Sequence, residues 1–132
     1  MLEKIFKKGY KNDAGFDIKI DTDVIFLPKK VTIFELKHKI KPKKGTCVML
    51  VARTSAAKQG LIISMCPIDA DYDGTITAIV YNANSKSVKY EVGEAFCQAV
   101  FVKLGKSTIP RDAYDIVKDG KRGKNKFGST GK

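Results

Sequence analysis

The chain has 132 residues, about the size of one domain and too short for two ordinary ones. Hydrophobic residues make up 43% and charged residues 30%, and no apolar run approaches the roughly 18 residues that a membrane-spanning helix needs. This composition excludes disordered and transmembrane chains and predicts a soluble globular domain. The formal net charge of +11 indicates an anionic partner, which could be nucleic acid, a phosphorylated small molecule or an acidic surface.

The first residues of the chain and the spacing of its cysteines indicate the cellular compartment that we expect for the protein. Charges are scattered through the first 17 residues without an apolar core segment, so we expect no secretory signal and a cytoplasmic location. Cys47, Cys66 and Cys97 are an odd number with long spacings and no CxxC pair, which excludes a disulfide framework and a zinc ribbon. Each lies in an apolar stretch and is predicted to be a small reduced core residue.

Strand signals dominate the chain from its start to residue 103. The segments are short, rich in β-branched and aromatic residues, and separated by turn-forming residues. Their spacing predicts an all-β fold, a jelly roll or β-barrel, with at most one short helix at 54–60, started by Thr54 and Ser55 and ended by Gly60. The predicted strands are 16–20, 24–27, 31–40, 46–51, 75–82 and 97–103.

Two segments concentrate positive charge. Residues 29–44 contain seven lysines. These lysines either lie on strand faces exposed to solvent or form a surface that binds a polyanion. Residues 118–132 contain four glycines, six basic residues and one large apolar side chain, Phe127. We therefore predict a β domain at 1–117 and a flexible C-terminal arm at 118–132. The arm could serve solubility or nucleic-acid binding, but Phe127 beside Ser129 and Thr130 also suits a lid over a ligand with a ring and a phosphate.

An acidic segment, DADYDG at 69–74, imitates the start of a calcium loop. Such a loop needs a bidentate Glu at its twelfth position, which is Val80 here, and helices on both sides, where strands are predicted. The alternatives are an acidic hairpin turn or a carboxylate, Asp69, held where it can activate a water molecule.

The segment ARTSAAKQG at 52–60 has the groups that could bind an oligophosphate. Arg53 offers a guanidinium group, Thr54 and Ser55 offer hydroxyls, and a helix start offers free backbone N–H groups. A helical turn with a surface arginine is the alternative, because the glycines of a Walker loop are missing. The single histidine, His38, has no visible catalytic partner.

Five segments, taken in chain order, resemble the five motifs of the homotrimeric dUTPase family and span residues 14 to 131. Each one alone is weak, whereas five in register ending in an intact FGSTG are specific. The resemblance departs at Cys66-Pro67, where the family has Gly-Val, and at Asn125-Lys126, where it has Gly-Gly. The segments are AGFD at 14–17, RTSAA at 53–57, CPIDADYDG at 66–74, GEAFCQ at 93–98 and RGKNKFGSTG at 122–131.

The resemblance implies a jelly-roll trimer that hydrolyses dUTP to dUMP and pyrophosphate, with Mg²⁺, by attack of water on the α-phosphate. Asp69 would be the general base. Tyr72 would pack beneath the sugar and exclude a ribose 2′-hydroxyl. The hairpin from Cys66 to Thr77 would contact uracil through its backbone, although Pro67 has no N–H to donate.

The remaining expected roles follow from the same resemblance. The phosphates would be bound by Arg53, Thr54, Ser55 and Gln98. Asp17 would be an outer-shell ligand that holds Mg²⁺ through water. Phe127 would stack on uracil while Arg122, Ser129 and Thr130 reach the γ-phosphate. Each active site would be assembled from three chains.

Two alternatives stay open at this stage. A dCTP deaminase with a similar fold would carry a catalytic Glu in the strand after the third motif, but TITAIVYN at 75–82 has none. The high net charge also suits a basic regulatory or nucleic-acid-binding protein on the same fold, whose affinity would fall steeply with salt. No membrane partner is expected.

Overall fold

A computed structural model describes residues 6–7, 11–64 and 66–105, with the backbone alone at 6–7. This part of the chain forms ten short strands and one five-residue helix, which confirms the predicted all-β fold. None of its helices is long and apolar enough to cross a membrane. The elements are β1 Phe6–Lys7, β2 Gly15–Ile18, β3 Val24–Phe26, β4 Val31–Lys39, β5 Thr46–Ala52, α1 Thr54–Lys58, β6 Leu61–Ile63, β7 Pro67–Ile68, β8 Thr75–Asn82, β9 Val88–Tyr90 and β10 Cys97–Lys103.

The strands pair antiparallel in three sheets. The largest has the order β1-β2-β10-β5-β7, the second is the pair β3-β9, and the third has the order β4-β8-β6. Because β10 lies between β2 and β5, segments that are far apart in sequence run side by side. This arrangement builds the candidate site.

The core is formed by the inward faces of these sheets. In β8 every second residue from Ile76 to Asn82 is buried, as expected for a strand with one face on the core. Phe26, Phe34, Tyr90 and Phe96 form an aromatic cluster around the Phe96 ring, with ring centroids 5.1 to 5.8 Å from it and edge-to-face geometry. The cluster joins the second and third sheets to the residue that precedes β10.

Asn82 is a fully buried polar residue at the end of β8. Its Nδ2 donates to the carbonyls of Phe26 and Lys86, both at 2.9 Å, and its Oδ1 accepts from the Asn84 N–H at 2.8 Å. Because all three contacts are satisfied, the amide ties the turn after β8 to β3 instead of destabilising the core.

The predicted strands agree with the structure to within two residues at each end, and 75–82 and 97–103 match β8 and β10. The strands that sequence patterning missed are β1, β6, β7 and β9, which have only two or three residues each. The predicted helix ends at Lys58, and its N-cap is Arg53 without a side-chain cap, so Thr54 and Ser55 lie within the first turn.

The cysteine prediction is correct for Cys47 and Cys97, which are buried, and wrong for Cys66, which is exposed. Cys66 lies between β6 and β7 at the start of a hairpin, where its apolar neighbours in sequence do not enclose it. All seven lysines of 29–44 are exposed. The predicted boundary at residue 117 and the arm at 118–132 lie outside the described residues and stay predictions.

Candidate functional site

The structure brings Asp17, Arg53, Thr54, Ser55 and Gln98 together around one open cavity of about 400 Å³, called here the Arg53 cavity. The sheet register explains this. Gln98 in β10 lies opposite Asp17 in β2 on one side and opposite Val51 in β5 on the other. Cross-strand partners point to the same face of a sheet, and β5 leads directly to Arg53 and α1. Residues 13–15 complete the lining.

Arg53 is held in place from two directions. Its Nε lies 3.1 Å from Oδ1 of Asp17, and its Nη1 donates to the Ala95 carbonyl at 3.0 Å. The Arg53 N–H also donates to the Phe96 carbonyl at 3.0 Å. These two side-chain contacts use two of the five N–H donors of the guanidinium group, so an anion in the cavity can be bound by the others.

Gly15 makes room for Gln98 in the wall of the cavity. A Cβ atom at Gly15 would lie 2.5 Å from Oε1 of Gln98 and 3.1 Å from the Ala99 carbonyl oxygen. The Gln98 Nε2 donates to the Ala52 carbonyl at 3.3 Å. Glycine at position 15 therefore permits the close packing that holds the Gln98 amide beside Asp17.

The first turn of α1 contributes backbone donors. Ala57 N–H makes the first helical bond, to the Arg53 carbonyl at 2.9 Å. The N–H groups of Thr54 and Ser55 therefore have no partner in the helix itself, as at every helix start. Both residues are exposed and line the Arg53 cavity, where their hydroxyls add further donors.

Cys97 lies beneath this cavity, next to Gln98 in β10, and is fully buried. Burial, with a smaller contribution from the negative charge of Asp17, raises the pKa of the Cys97 thiol from 9.0 to about 12. The thiol is neutral at physiological pH, so Cys97 is a packing residue and not a nucleophile.

The other predicted residues, Cys66, Asp69, Tyr72 and Thr77, line a second cavity of about 270 Å³, called here the hairpin cavity. The hairpin turns back where the Tyr72 N–H donates to the Asp69 carbonyl at 3.1 Å. The other lining residues are mainly apolar: Leu50, Pro67, Ile68, Thr75, Ile76 and Ile79. The cavity therefore offers a small, mostly apolar surface with one carboxylate at its edge.

Tyr72 has a fixed position over the hairpin. Its Oη donates to the Thr75 carbonyl at 3.0 Å, and its ring covers Gly74 so closely that any side chain at position 74 would collide with it. The Thr75 hydroxyl in turn donates to Oε1 of Glu35 at 3.0 Å, which ties the hairpin to β4. The Tyr72 ring is still 44% exposed and so remains available to a ligand.

Asp69 lies at the exposed end of β7. Its carboxylate has no ion pair or side-chain hydrogen bond with any residue in the described part of the chain. Across that part, no group of three or more His, Cys, Asp or Glu residues converges as a metal-binding cluster.

Within one chain Asp69 lies far from Arg53. Ile68, the neighbour of Asp69, pairs with Val48, whereas Arg53 lies five residues further along from Val48. At a rise of roughly 3.3 Å per residue, the five residues from Val48 to Arg53 span about 17 Å. The structure therefore groups the predicted residues in two sets and does not join Asp69 to Arg53 within one chain.

Sequence patterning missed a third cavity, of about 580 Å³, on the other side of the Arg53–Asp17 pair. It shares Asp17, Arg53 and Ser55 with the Arg53 cavity. The added residues lie just after β2, at the end of α1, in β9 and in the turn before β10, and only Gly93, Glu94 and Ala95 among them belong to one of the five motifs. They are Lys19, Lys58, Gln59, Lys89, Tyr90, Gly93, Glu94 and Ala95. The predicted tail residues Arg122, Phe127, Ser129 and Thr130 lie outside the described residues.

The sequence profile of the dUTPase family matches residues 3–131. The chain is 30% identical over 125 residues to the Pol polyprotein of equine infectious anemia virus (strain Wyoming), a match that covers 95% of this chain and 11% of the polyprotein. It is 31% identical over 97 residues to a dCTP deaminase from Thermococcus kodakarensis, covering 74% of this chain and 63% of that protein.

The native dUTPase of equine infectious anemia virus (EIAV) has a similar structure, with a TM-score of 0.72 and 27% sequence identity. The superposition covers 79% of this chain and 87% of the viral protein. The family profile extends over nearly the whole sequence, and the fold agrees with it independently. The chain therefore belongs to the dUTPase family.

Proposed function

We propose that this protein is a dUTP diphosphatase, which hydrolyses dUTP to dUMP and pyrophosphate by attack of water on the α-phosphate. The observation that carries the proposal is the Arg53 cavity, where residues from the first, second and fourth motifs meet although they are up to 84 positions apart, from Ala14 to Gln98. Such convergence is what a triphosphate needs, because most of the catalysis in phosphoryl transfer comes from positioning and charge neutralisation.

The phosphate chain binds in the Arg53 cavity. Arg53 supplies a fixed positive charge, since Asp17 and the Ala95 carbonyl hold its guanidinium group. Thr54 and Ser55 add hydroxyl and backbone donors, and Gln98 adds an amide. These donors are positioned before the substrate arrives, so little reorganisation is needed when negative charge moves toward the leaving pyrophosphate.

The deoxyuridine binds at the hairpin cavity. The Tyr72 ring, held by Thr75 and covering Gly74, forms a flat surface for the sugar and leaves no space for a 2′-hydroxyl. Backbone groups between Cys66 and Thr77 bind the uracil edge, with Pro67 accepting only. Asp69, whose carboxylate is exposed and without an ion pair in the described part of the chain, takes the proton of the attacking water.

The two sets of residues must meet across a subunit interface, because about 17 Å separates them within one chain by strand rise. A candidate interface exists on the outer face of β4, β8 and β6. Its apolar side chains are cross-strand neighbours and 37% to 71% exposed, and one of them, Ile79, also lines the hairpin cavity. They are Val31, Ile33, Ile62, Ile79 and Tyr81. A closed homotrimer would bury this face and complete three sites.

The donor set fits a largely hydrated Mg²⁺ ion. Asp17 is a partly exposed carboxylate on the wall of the Arg53 cavity, and the described residues supply no cage of acids around it. Mg²⁺ in phosphate sites usually keeps several waters and binds one or two carboxylates. Asp17 would hold such an ion through water, and the ion would neutralise charge on the triphosphate.

The direct test is an assay of pyrophosphate release with Mg²⁺ and each of dUTP, dTTP, dCTP and UTP. We expect turnover of dUTP alone, and loss of turnover with retained nucleotide binding in Asp69→Asn. Release of ammonia from dCTP would instead support the deaminase relationship, although β8 contains no acidic residue. Equal turnover of all four nucleotides would contradict the assignment of the hairpin cavity.

Shared sites are tested with two inactive variants, Asp69→Asn and Arg53→Ala. The two variants are mixed, unfolded together and then refolded together. If Asp69 and Arg53 act from different chains, a random 1:1 mixture recovers about a quarter of the wild-type activity, since one in four pairings combines two intact residues. Each variant refolded alone is the control. No recovery, with mixed oligomers confirmed by mass spectrometry, would show that both residues act from one chain.

The tail assignments remain predictions from the sequence. Phe127 would stack on uracil, and Arg122, Ser129 and Thr130 would bind the γ-phosphate. Removing residues 122–132 should slow dUTP hydrolysis strongly and leave the unfolding midpoint unchanged. An unchanged rate in the shortened chain would eliminate the lid.

A further inference from the structure

α1 is a short helix with few stabilising features, and its first turn lines the Arg53 cavity. It has five residues, no side-chain N-cap, no acidic residue in its first turn and one buried residue, Ala56. Helices this short are unstable on their own and depend on contacts with the rest of the protein. Since the first turn of α1 carries Thr54 and Ser55, whatever holds the helix also sets the geometry of the Arg53 cavity.

Tyr90 reaches α1 from the core. Its ring is 8% exposed and packs edge-to-face against Phe26 and Phe96, with centroid distances of 6.4 and 5.7 Å. Its hydroxyl donates to Oε1 of Gln59, the C-cap residue of α1, at 2.7 Å. The ring is therefore anchored in the aromatic cluster, while the hydroxyl lies at the wall of the third cavity beside Arg53.

The beginning of the helix also lies near Tyr90. Ser55, the second residue of α1, lines the third cavity together with Tyr90, and its hydroxyl lowers the pKa of the Tyr90 phenol. Burial raises the pKa of Tyr90 above 10.0, while the nearby charge of Arg53 and the Ser55 hydroxyl oppose the rise. The neutral hydroxyl can accept from Ser55 and donate to Gln59 at the same time. The Tyr90 hydroxyl is therefore bonded to the C-cap of α1 and lies next to its first turn.

We propose that Tyr90 is a positioning residue for the phosphate-binding half of the site, because its hydroxyl anchors the C-cap of α1 at Gln59 and lies beside Ser55 in the first turn. The inference rests on the proposed function, since it assigns the first turn of α1 to phosphate binding. Tyr90 itself does not touch substrate. Its effect is to fix the Ser55 side chain and the N–H groups of the turn before the phosphates bind, which lowers the entropy lost on binding.

The test is Tyr90→Phe, which removes only the hydroxyl and keeps the ring in the aromatic cluster. One hydrogen bond of ordinary strength corresponds to about three- to tenfold in an equilibrium constant. We expect amide hydrogen exchange in segment 53–60 of the free protein to become faster by about that factor, and the Kd for inorganic tripolyphosphate to rise by about the same factor. The Kd for deoxyuridine, which lacks phosphate, should not change.

Two further variants complete the design. Gln59→Met removes the acceptor at similar side-chain length and should reproduce both effects. Thr46→Val is the matched control, because the Thr46 hydroxyl makes a hydrogen bond of its own, to the Lys43 carbonyl at 2.6 Å, on a turn outside all three cavities. It should leave exchange in 53–60 and both affinities unchanged.

The proposal is overturned if Tyr90→Phe leaves the exchange of segment 53–60 unchanged, or if tripolyphosphate and deoxyuridine lose affinity equally. The second result would mean that Tyr90 supports the whole fold and not α1. Failure of the wild-type protein to cleave dUTP would refute the proposed function instead. The exchange and tripolyphosphate measurements need no turnover and would still decide the role of Tyr90.

Discussion

The close packing of Gly15 against Gln98 leads to a sharp prediction for Gly15→Ala. The new methyl group would lie 2.5 Å from Oε1 of Gln98, so that side chain must turn away. The methyl group would also lie 3.1 Å from the Ala99 carbonyl oxygen, which belongs to the backbone of β10 and can move by only a few tenths of an ångström. The substitution therefore acts on the strand pairing and on the Arg53 cavity together.

The magnitude follows from these two contacts. Turning Gln98 away breaks its hydrogen bond to the Ala52 carbonyl, which costs about 1 kcal/mol in the free energy of unfolding. Crowding against the Ala99 carbonyl adds about 1 to 2 kcal/mol, the low end of overpacking costs. In the proposed mechanism Gln98 also loses a hydrogen bond to a charged phosphate, about 1.5 to 3 kcal/mol, which corresponds to about 10- to 100-fold in kcat/KM for dUTP.

The assay is urea unfolding followed by steady-state hydrolysis of dUTP, with Gly105→Ala as the control. A Cβ atom at Gly105 meets no atom of the described residues within 4 Å, so that variant should behave as wild type in both measurements. The double variant Gly15→Ala/Gln98→Ala relieves the contact with the glutamine and should regain part of the lost stability without regaining activity. If Gly15→Ala matched Gly105→Ala in both assays, the packing argument would be refuted.

Four further outcomes are expected. Tyr72→Ala should admit UTP and reduce the dUTP to UTP ratio of kcat/KM, and an unchanged ratio would remove Tyr72 from sugar discrimination. Asn82→Leu removes one buried and two partly buried hydrogen bonds to the backbone and should lower the free energy of unfolding by about 3 kcal/mol, measured by urea denaturation. In the native protein at pH 8, a thiol reagent should label Cys66 ahead of the buried cysteines, read out by peptide mass spectrometry. Since the Cys97 pKa is about 12 in the fold and near 9.0 when exposed, its neutral thiol should also make stability fall as pH rises from about 9 toward 12.

Much of the fold could be predicted because strand patterning is local. In β8 the alternation of buried and exposed residues is complete, and the strand was found with its correct ends. β6, β7 and β9 were missed because two or three residues carry no periodicity of their own. They are strands only because β8, β5 and β3 pair with them. Cys66 was wrongly placed in the core for a related reason, since apolar neighbours in sequence do not establish burial.

For the candidate site, too, the sequence identified residues whose relative positions only the fold could give. The resemblance of the sequence to the five dUTPase motifs assigned Asp17, Arg53, Asp69 and Gln98 to one expected active site. Only the tertiary structure placed Gln98 opposite Asp17 and separated both from Asp69, because strand register is decided by contacts between distant segments. The hydroxyl of Tyr90 could not be found from its own strand, where alternation predicts nothing more than a core aromatic. Its position beside Ser55 depends on how the aromatic cluster packs under α1, and that packing is a property of the folded chain.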